Sequence, residues 1–498
     1  MNRMLIIGLI RTRRGAVVVD FREICTYIIY FLIFYILYAF IFGVLIFALH
    51  KPKNSKYLVT HPVDRFYGEG IGQDRAVLVE DRYYSGLVRV DLIERAEETL
   101  DISYYTIHDG ISTDIFLGSI LEAADRGVKV RFILDGMFHH LEGNLKDVIY
   151  AFTDHPNIEL KFYEPFTLLK PWTWNNRLHD KFIIADSKLA IIGGRNIGDK
   201  YFVPQNDLNI DVVYDRDVLI LNTDEVNYHS SVIFQLEDYF NQVWKHEFSK
   251  YPTKKLTKRQ HKKGNRKAQY LMDKLESMRK TNPEIFNNSY DWMDLSLPTK
   301  KITLIHNPIE GLNKEPWCWY ELVSLAEKSQ ESILIQSPYI IPTNSMVKYL
   351  EDKDITAENI DILTNSLAVS PNPFAISGYM NHRKDIVDSN ANVYEFQGPG
   401  SIHAKSCIFD NRISAVGSFN FDSRSVHLST ETMVVIDSEQ FAEHLEEEIQ
   451  NYIGQSLKIG KDYNYIPNHI VEEQKVSIPK KIIVSILSII VYFFEFML

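Results

Sequence analysis

Apolar stretches bounded by glycine, proline or polar turns follow one another along most of the chain. In the first half, residues 100–107 are predicted to form a strand, and residues 116–127 an amphipathic helix ended by glycine. A buried strand at 128–136 and another from Ile158 follow, and then a strand with polar residues at its start, beginning at His179. Strands and helices that alternate at these lengths predict an α/β fold with parallel sheet and helices on both faces.

The second half repeats this order. Residues 332–342 are predicted to form a strand, a second strand begins at Asn359, and residues 375–389 have the pattern of a helix. An apolar segment then leads to His403. We therefore predict two tandem α/β repeats that arose by internal duplication, the first over 57–249 and the second over 301–460.

The N-terminal part of the chain predicts a membrane anchor. Residues 24–49 carry no charge, and this run is longer than the roughly 20 residues needed to span a bilayer. No small-residue cleavage site follows it, so we expect a retained anchor rather than a signal peptide. A basic segment, residues 1–23, precedes the anchor. The arginines before the anchor outnumber the lysines shortly after it, which favours an N-terminus inside and a catalytic region outside: Arg3, Arg11, Arg13, Arg14 and Arg22 against Lys51, Lys53 and Lys56.

Two other segments bear on membrane contact. Residues 480–498 are apolar but shorter and are interrupted by Glu495, so we expect an interfacial, membrane-associated segment, with a second span as the alternative. The linker between the repeats, residues 250–300, begins with nine lysines and arginines in residues 250–267. This stretch is either a solvated linker or a patch for anionic lipid headgroups.

Composition excludes some classes of protein. The chain is 45% hydrophobic and 24% charged, which is typical of globular domains, and its 498 residues allow more than one core. A net charge of -11 argues against a general nucleic-acid binder, so we expect no nucleic-acid partner. Three cysteines cannot form a disulfide framework.

The strongest signal is a polar pattern that occurs twice. Two, seven, fourteen and seventeen residues after each histidine, the same residue types recur. The first set is His179, Lys181, Asp186, Gly193 and Asn196, and the second is His403, Lys405, Asp410, Gly417 and Asn420. A single H-x-K sequence occurs often by chance. Two copies that agree at all four of these offsets, each in a matching α/β setting, predict a shared site.

Strand geometry assigns these side chains to faces. Each histidine and its lysine project from the same face of a strand, and they form the core of the candidate catalytic set. Asp186 and Asp410 complete the motif and belong to that set, although their odd offset points them to the other face. Each begins a short polar break, which favours a hairpin turn where the aspartate bonds its own backbone. The later residues Asn196, Ser418 and Asn420 are candidates to donate hydrogen bonds to a bound oxyanion.

Two histidines and two lysines in one site suit phosphodiester chemistry. The lysines and amide donors neutralise the charge that develops on phosphoryl oxygens, while one imidazole attacks phosphorus and the other protonates the leaving oxygen. A metal site is the competing interpretation, but a lysine beside each histidine would repel a cation. No cysteine or acidic cluster completes a zinc or magnesium set. We therefore expect no metal and no other cofactor.

At these residues the chain resembles the phospholipase D superfamily, whose signature is H-x-K-x4-D twice per active site. The segments "RLHDKFIIADSKLAIIGGRNIGDKYF" and "GSIHAKSCIFDNRISAVGSFNFDSRSVHLSTE" are similar to the bacterial cardiolipin synthase branch. The resemblance covers roughly residues 76–450. It implies a pseudo-twofold fold of two phospholipase D-type repeats with mixed or parallel sheets and the active site at the seam between them.

The resemblance also implies roles for residues. Phosphatidyl transfer would proceed without metal through a covalent intermediate, with His179 as nucleophile and His403 as acid and base, although the pseudosymmetry makes this assignment reversible. Relatives place a carboxylate behind each histidine. Glu431 matches that position after the second motif, and Asp215 after the first, with Asp217 as a substitute.

The resulting hypothesis is a membrane-bound phosphatidyltransferase in the bacterial cytoplasmic membrane that makes cardiolipin. Its substrates would be phosphatidylglycerol and a donor that is either phosphatidylglycerol or phosphatidylethanolamine, and its other partner is the bilayer. A phospholipase D hydrolase that releases phosphatidic acid is the alternative. A nuclease of the same superfamily and an inactive membrane scaffold complete the set of hypotheses.

Overall fold

The computed structural model describes residues 8–12, 15–19, 21–204, 212–253, 255–286 and 290–498. Near the N-terminus, the backbone of Gly8–Thr12 pairs with that of Gly15–Val19 as an antiparallel hairpin. Three arginines of the predicted basic segment, Arg3, Arg13 and Arg14, lie outside the described residues.

A long apolar helix, called the anchor helix here, runs from Phe21 to Leu49. It is α-helical over Phe21–Phe40, π-helical over Ile41–Leu45 and α-helical again over Ile46–Leu49. At 1.5 Å per residue its 29 residues extend for about 43 Å, whereas the hydrocarbon core of a bilayer is about 30 Å thick. Within the described residues, this is the one helix long and apolar enough to cross a bilayer.

The first repeat is built on a nine-stranded mixed sheet. Its strands in spatial order are Ser249–Lys250, Ile158–Tyr163, Lys129–Asp135, Thr99–Tyr104, Phe182–Ala185, Leu189–Gly193, Asp217–Asn222, Asp74–Val79 and Leu297–Pro298. Only the second, third and fourth of these strands are mutually parallel, and every other neighbouring pair is antiparallel.

The second repeat has an eight-stranded sheet of the same design. From the corresponding edge its strands are Ser456–Lys458, Asn392–Phe396, Asn359–Asn365, Ser332–Gln336, Ser406–Phe409, Ile413–Gly417, Thr432–Asp437 and Lys301–His306. The order of strands and their directions match those of the first sheet. The sheets are therefore mixed, as the resemblance implies, since the strand after each histidine runs antiparallel to both neighbours.

Helices cover the sheets and separate them. The described α-helices of the two repeats and linker are Tyr57–Thr60, Arg82–Arg95, Ile111–Asp125, Val148–Asp154, Asp199–Phe202, Val232–Lys245, Lys258–Thr281, Trp292–Leu295, Trp317–Lys328, Asn344–Leu350, Pro373–Asp388, Ser423–His427 and Glu439–Ile453. Short 3-10 helices lie at Val63–Phe66, Gly143–Leu145, Pro171–Thr173, Tyr228–Ser230, Pro283–Ile285 and Glu495–Met497. The expected helix at 375–389 begins two residues earlier, because the side chain of Asn372 accepts hydrogen bonds from two backbone N–H groups and caps it.

The main cores are arranged as layers. Alternate residues of each central strand point to opposite faces, so Ile183 belongs to an outer core of the first repeat while Phe182 and Ile184 face the second repeat. Helices Val232–Lys245 and Glu439–Ile453 pack with the inner faces of both sheets in one shared core. The two repeats thus form a single folded body.

The basic linker is structured. Its helix Lys258–Thr281 begins with a capping box at Thr257 and packs against the first repeat. Three of its basic side chains pair with acids of that repeat: Lys263 with Asp147, Lys267 with Asp114, and Arg279 with Glu94 and Glu122. Lys263 and Lys267 therefore meet protein carboxylates, whereas other basic residues of the 250–267 stretch, such as Lys258 and Arg266, are exposed. The two interpretations of this stretch, a solvated linker or a patch for lipid headgroups, stay predictions.

The C-terminal helix, Ile478–Phe494, packs on the helix Pro373–Asp388. Val484 and Val491 are buried in this contact. A hydrogen bond from Asn381 to the Ser488 carbonyl (3.0 Å) and one between His382 and Glu495 (2.8 Å) fix it further. The segment therefore lies along the folded body, a placement that fits an interfacial helix better than a second span.

Asp186 and Asp410 occupy equivalent hairpin turns at the far ends of the histidine strands. In each turn the aspartate and the next residue have positive φ, as type I′ turns require: 53° and 57° at Asp186 and Ser187, 49° and 50° at Asp410 and Asn411. Five residues of extended chain, about 16 Å, separate Lys181 from Asp186. The structure thus removes both aspartates from the candidate catalytic set.

Each of these carboxylates instead binds the backbone of a neighbouring segment. Asp186 accepts hydrogen bonds of 2.8 Å from the N–H groups of Glu97, Glu98 and Thr99. Asp410 accepts equivalent bonds from residues 330–332. The expectation that each aspartate would bond its own turn is wrong, because the N–H groups that precede the adjacent parallel strand lie within reach.

We predict that Asp186→Ala lowers the free energy of unfolding by about 1–3 kcal/mol, because three backbone donors lose a charged acceptor. The kcat of the folded protein should stay unchanged. Thermal unfolding and activity assays measure the two effects, and Asp410→Ala should behave alike. A large loss of kcat with no change in melting temperature would contradict this assignment.

Candidate active site

Both histidine segments reach the same end of the molecule. The strands that follow the histidines run antiparallel to their parallel neighbours, so each histidine lies at the edge where the parallel strands end. The carboxyl ends of parallel strands are the usual place for a site in such folds. The two lysines also act across the seam: the charge of Lys405 lowers the pKa of His179, and that of Lys181 lowers the pKa of His403. The two motifs form one site.

Two short parallel ladders join the repeats at this edge. Arg177–Leu178 pairs with Ser429–Thr430, and Val213–Tyr214 pairs with Ser401–Ile402. In both ladders, one strand ends immediately before a motif histidine, and the other ends immediately before an acid. Because parallel strands in register advance together, each histidine meets the acid from the opposite repeat.

The observed contacts follow this register. His179 Nδ1 lies 2.9 Å from both carboxylate oxygens of Glu431, and His403 Nδ1 lies 2.5 Å from Asp215 Oδ2. Asp217, the substitute considered for Asp215, instead accepts hydrogen bonds from Arg89 and Arg195. The sequence spacing locates both acids but does not reveal that they cross the seam.

The two motif imidazoles are partly exposed, whereas the acids behind them are buried. The side chains of His179 and His403 are 15% and 22% exposed, whereas Glu431 and Asp215 are fully buried. An acid that holds Nδ1 leaves Nε2 as the nitrogen available to a substrate. Both imidazoles can therefore present Nε2 to one bound group.

The charge states of the two pairs differ. Burial raises the pKa of Glu431 to about 8. Burial alone would also raise the pKa of Asp215, but the charges of Lys405 and His403 hold it well below its usual value. Burial lowers the pKa of His179 well below its usual value and that of His403 to about 4. Burial thus favours neutral imidazoles in the free enzyme, and the acid behind His403 holds its negative charge more strongly than the acid behind His179.

The lysines supply positive charge in a dry setting. Lys181 and Lys405 are each 1% exposed, and each donates a hydrogen bond to the carbonyl of the histidine two residues earlier. Burial lowers the pKa of Lys181 to about 7 and that of Lys405 to about 8. Their remaining donors can bind an anion strongly, because low-dielectric surroundings strengthen such bonds.

Of the three proposed oxyanion donors, Ser418 has another role. Its hydroxyl donates to Glu431 at 2.5 Å, so it positions that acid rather than binding substrate. The Nδ2 of Asn196 donates to the hydroxyl of Tyr201. In the described structure, the Oδ1 atoms of Asn196 and Asn420 are buried without a hydrogen-bond partner. The two asparagines occupy equivalent positions in the two repeats and stay candidates to bind substrate.

Sequence reasoning missed several residues around the site. The ring of Tyr105 lies 5.0 Å from that of His179, and the ring of Tyr201 lies 6.1 Å from that of His403. Arg424 adds a positive charge that lowers the pKa of His179 further. Tyr105 follows the end of a parallel strand, which is a signal that could have found it. Arg424 is also predictable, because it lies the same distance after His403 as Lys200 after His179.

The arrangement is suited to an anion with a single reacting centre. Two ammonium groups and a guanidinium surround two neutral imidazoles whose Nδ1 atoms are held by acids. In the part of the chain that the structure describes, no group of three or more histidine, cysteine or acidic side chains could hold a metal ion. Nucleophilic attack and proton transfer by the imidazoles are the chemistry that these residues can perform.

Comparison with known proteins identifies the family. The family described as "Cardiolipin synthase, PLD-like domain" matches residues 90–244 and 322–453, together more than half of the chain. The chain belongs to this family. Because the match falls in two parts, each with one H-x-K segment, it confirms the predicted repeat. It also confirms the predicted enzyme class, a phosphatidyltransferase of the phospholipase D superfamily.

Individual relatives agree with this assignment. The chain is 28% identical over 450 residues to cardiolipin synthase C of Escherichia coli strain K12, covering 81% of this chain and 92% of that protein. It is 25% identical over 378 residues to cardiolipin synthase 1 of Staphylococcus aureus strain COL, covering 74% and 65%. It is also similar, at 27% identity over 445 residues, to an uncharacterized protein of Helicobacter pylori, covering 80% and 84%.

A solved structure supports the fold. The crystal structure of phosphatidylserine synthase from Haemophilus influenzae Rd KW20 covers 89% of this chain and 100% of its own, with a TM-score of 0.59. The sequence identity is 12%, so this likeness establishes the fold alone.

We predict that kcat/KM falls by about tenfold between pH 7 and pH 9, because Lys181 and Lys405 lose their charge above pKa values of about 7 and 8 and then bind a phosphodiester weakly. The kcat should fall less, since a bound anion keeps the lysines protonated. Initial rates across this pH range measure both parameters. A kcat/KM that still rises up to pH 9 would contradict the proposed role of the lysines.

Proposed function

We propose that the chain makes cardiolipin by transferring the phosphatidyl group of one phospholipid to phosphatidylglycerol. The crossed histidine–acid pairs carry this proposal, because they aim two imidazoles at one place between two buried lysines. The family match and the cardiolipin synthase relatives support the choice of a phospholipid as substrate.

In the first step, Nε2 of His179 attacks the phosphorus of the donor phospholipid. A nitrogen–phosphorus bond forms and the bond from phosphorus to the headgroup oxygen breaks. His403 gives its Nε2 proton to the leaving oxygen, so the headgroup departs as a neutral alcohol. Lys181 and Lys405 hold the phosphoryl oxygens as their charge increases.

In the second step, a hydroxyl of phosphatidylglycerol attacks the phosphatidyl-histidine. His403 removes the proton from that hydroxyl, the nitrogen–phosphorus bond breaks, and His179 leaves as a neutral imidazole. The product is cardiolipin, and both histidines return to their starting states. Water in place of the hydroxyl would give phosphatidic acid.

The unequal acids favour these roles. His403 must carry a proton when the donor binds, although its pKa in the free site is about 4. The ionised Asp215 beside it and the negative charge of the donor both stabilise an imidazolium. His179 faces an acid whose pKa is raised to about 8, which leaves its imidazole neutral and nucleophilic.

The anchor helix suits a protein that acts on lipids in a membrane. We place the catalytic body on the outer face of the cytoplasmic membrane, because the arginines that precede the anchor outnumber the lysines that follow it. The donor is phosphatidylglycerol or phosphatidylethanolamine, and the headgroup alcohol released identifies it.

We predict that purified protein in detergent, given phosphatidylglycerol and EDTA, produces cardiolipin and glycerol. Because each imidazole performs a separate transfer, His179→Ala and His403→Ala should each lower kcat by at least about 10²–10⁴-fold. His229→Ala, at an exposed histidine of the first repeat, is the matched control and should keep full activity. Lipid chromatography of the products measures all three.

Three results would overturn this proposal. Phosphatidic acid without cardiolipin would make the enzyme a hydrolase. Loss of product in EDTA would require a metal. Near-full activity of either histidine variant would mean that the two motifs do not share one reaction.

A further inference from the structure

An exposed apolar loop lies shortly before His179. In residues 166–172, here called the 166–172 loop, four large apolar side chains face outward: Phe166 is 48% exposed, Leu168 58%, Leu169 74% and Trp172 36%. A cluster of this kind is costly in water and marks a surface that contacts another apolar phase.

The anchor helix holds this loop directly. The hydroxyl of Tyr35 donates to the Leu168 carbonyl at 3.1 Å, and that of Tyr38 donates to the Leu169 carbonyl at 2.8 Å. The rings of Phe42 and Trp172 lie 6.2 Å apart. The loop is therefore held against residues 35–42 of the anchor helix.

Close packing continues at the end of the loop. The side chain of Asn175 donates to the Gly43 carbonyl at 2.9 Å. A Cβ at Gly43 would lie 3.2 Å from the side chain of Pro171, so glycine allows the helix to approach this closely. The position of the helix in a bilayer thus determines the position of the loop.

The rise of the helix gives that position. From Ile24, where the uncharged run begins, the helix advances about 21 Å to Tyr38 and about 28 Å to Gly43, whereas the hydrocarbon core is about 30 Å thick. An anchor whose core-spanning part begins at Ile24 therefore brings Gly43 to the far interface of the bilayer and leaves Tyr38 about 9 Å inside the far leaflet. The loop segment held by Tyr38 then lies within that leaflet.

The C-terminal helix extends the same surface. Opposite its buried valines it exposes large apolar side chains: Ile482, Ile483, Ile486, Ile489, Ile490, Tyr492 and Phe493. At its end, the ring of Phe494 lies 6.4 Å from that of Phe40 in the anchor helix. The anchor helix thus contacts both the 166–172 loop and the end of the C-terminal helix.

We propose that the 166–172 loop inserts into the bilayer leaflet nearest the catalytic body, with the exposed face of the C-terminal helix lying on the same leaflet. The inserted side chains are Phe166, Leu168, Leu169 and Trp172. Lys170, the charged residue in this loop, extends its ammonium group to the lipid phosphates. This inference relies on the membrane attachment of the proposed function but not on its reaction.

Insertion has a consequence for substrate access. Beyond Asn175 the chain enters the ladder Arg177–Leu178 and then reaches His179. A loop held in the leaflet therefore keeps the opening of the site at headgroup level. A phospholipid can then present its phosphodiester to the imidazoles while its acyl chains stay in the bilayer.

A depth measurement on the full chain tests this inference. The variant Leu168→Cys, in a chain that also carries Cys25→Ser, is labelled with an environment-sensitive fluorophore and reconstituted into phosphatidylglycerol–phosphatidylcholine vesicles. Cys318 and Cys407 are buried and do not react. Val226→Cys, at a side chain that is 90% exposed, is the matched control.

We expect quenchers attached to lipid acyl chains to reduce the emission at residue 168 by at least about twofold and to leave residue 226 unchanged. Aqueous iodide should quench residue 226 alone. Equal iodide quenching at both positions would overturn insertion. Protection of residue 168 from both quenchers would also overturn it, since that result indicates a protein partner. Neither measurement needs turnover, so a failure of the proposed reaction would be seen separately.

Activity gives a second readout. The double variant Leu168→Ser/Leu169→Ser should lower kcat/KM in vesicles by at least about tenfold, because two leucines no longer enter the leaflet. Detergent-dispersed substrate should be turned over at the normal rate, since it reaches the site without a bilayer. Equal losses in both assays, or no loss in vesicles, would contradict the inference.

Discussion

Two parallel ladders, each two residues long, hold the two motif imidazoles against carboxylates from the opposite repeat. Neither repeat alone supplies both a motif histidine and the acid that holds it, so the site exists only when both repeats are folded and docked. Buried polar groups reinforce the contact: Arg216 donates to Gln336, and Lys314 donates to Asn176. Leaving such groups unpaired in the interior would be costly, which makes a shifted docking of the repeats unfavourable.

The same scaffold produces unequal halves. Behind His179, the longer acid Glu431 also accepts a hydrogen bond from Ser418. At the position that corresponds to Ser418, the first repeat has Gly194, where a Cβ would lie 2.2 Å from Asp215. Serine beside Glu431 donates a hydrogen bond to that acid, and glycine beside Asp215 leaves room for that carboxylate. Small changes in a duplicated framework shift the pKa values of the two acids in opposite directions, so two histidines of the same motif can take different roles.

The sequence predicts the duplication, the α/β class and the paired motif residues, because repeated spacing and strand periodicity are local properties. The mixed sheets and the two acids are implied by the resemblance to the phospholipase D superfamily. The sequence does not predict the crossing of the acids, which depends on a register between segments about 200 residues apart. It also leaves the function of Asp186 open, since the backbone N–H groups that bind it come from another strand. The sequence also does not reveal the acids of the first repeat that pair with Lys263 and Lys267 of the linker, because those acids belong to distant segments.

Rapid-quench labelling measures the crossed pairing most directly. Enzyme mixed with phosphatidylglycerol labelled at its phosphate is stopped with acid within one turnover, and the labelled histidine is located by peptide mapping. This account predicts label on His179, with its appearance slowed by at least about tenfold by Asp215→Asn, because the charge of Asp215 stabilises the His403 imidazolium that protonates the leaving oxygen. A donor with a nitrophenyl headgroup, which leaves without a proton, should be insensitive to Asp215→Asn. Label on His179 that Asp215→Asn slows equally with both donors would contradict the account, since Asp215 would then act on the nucleophile.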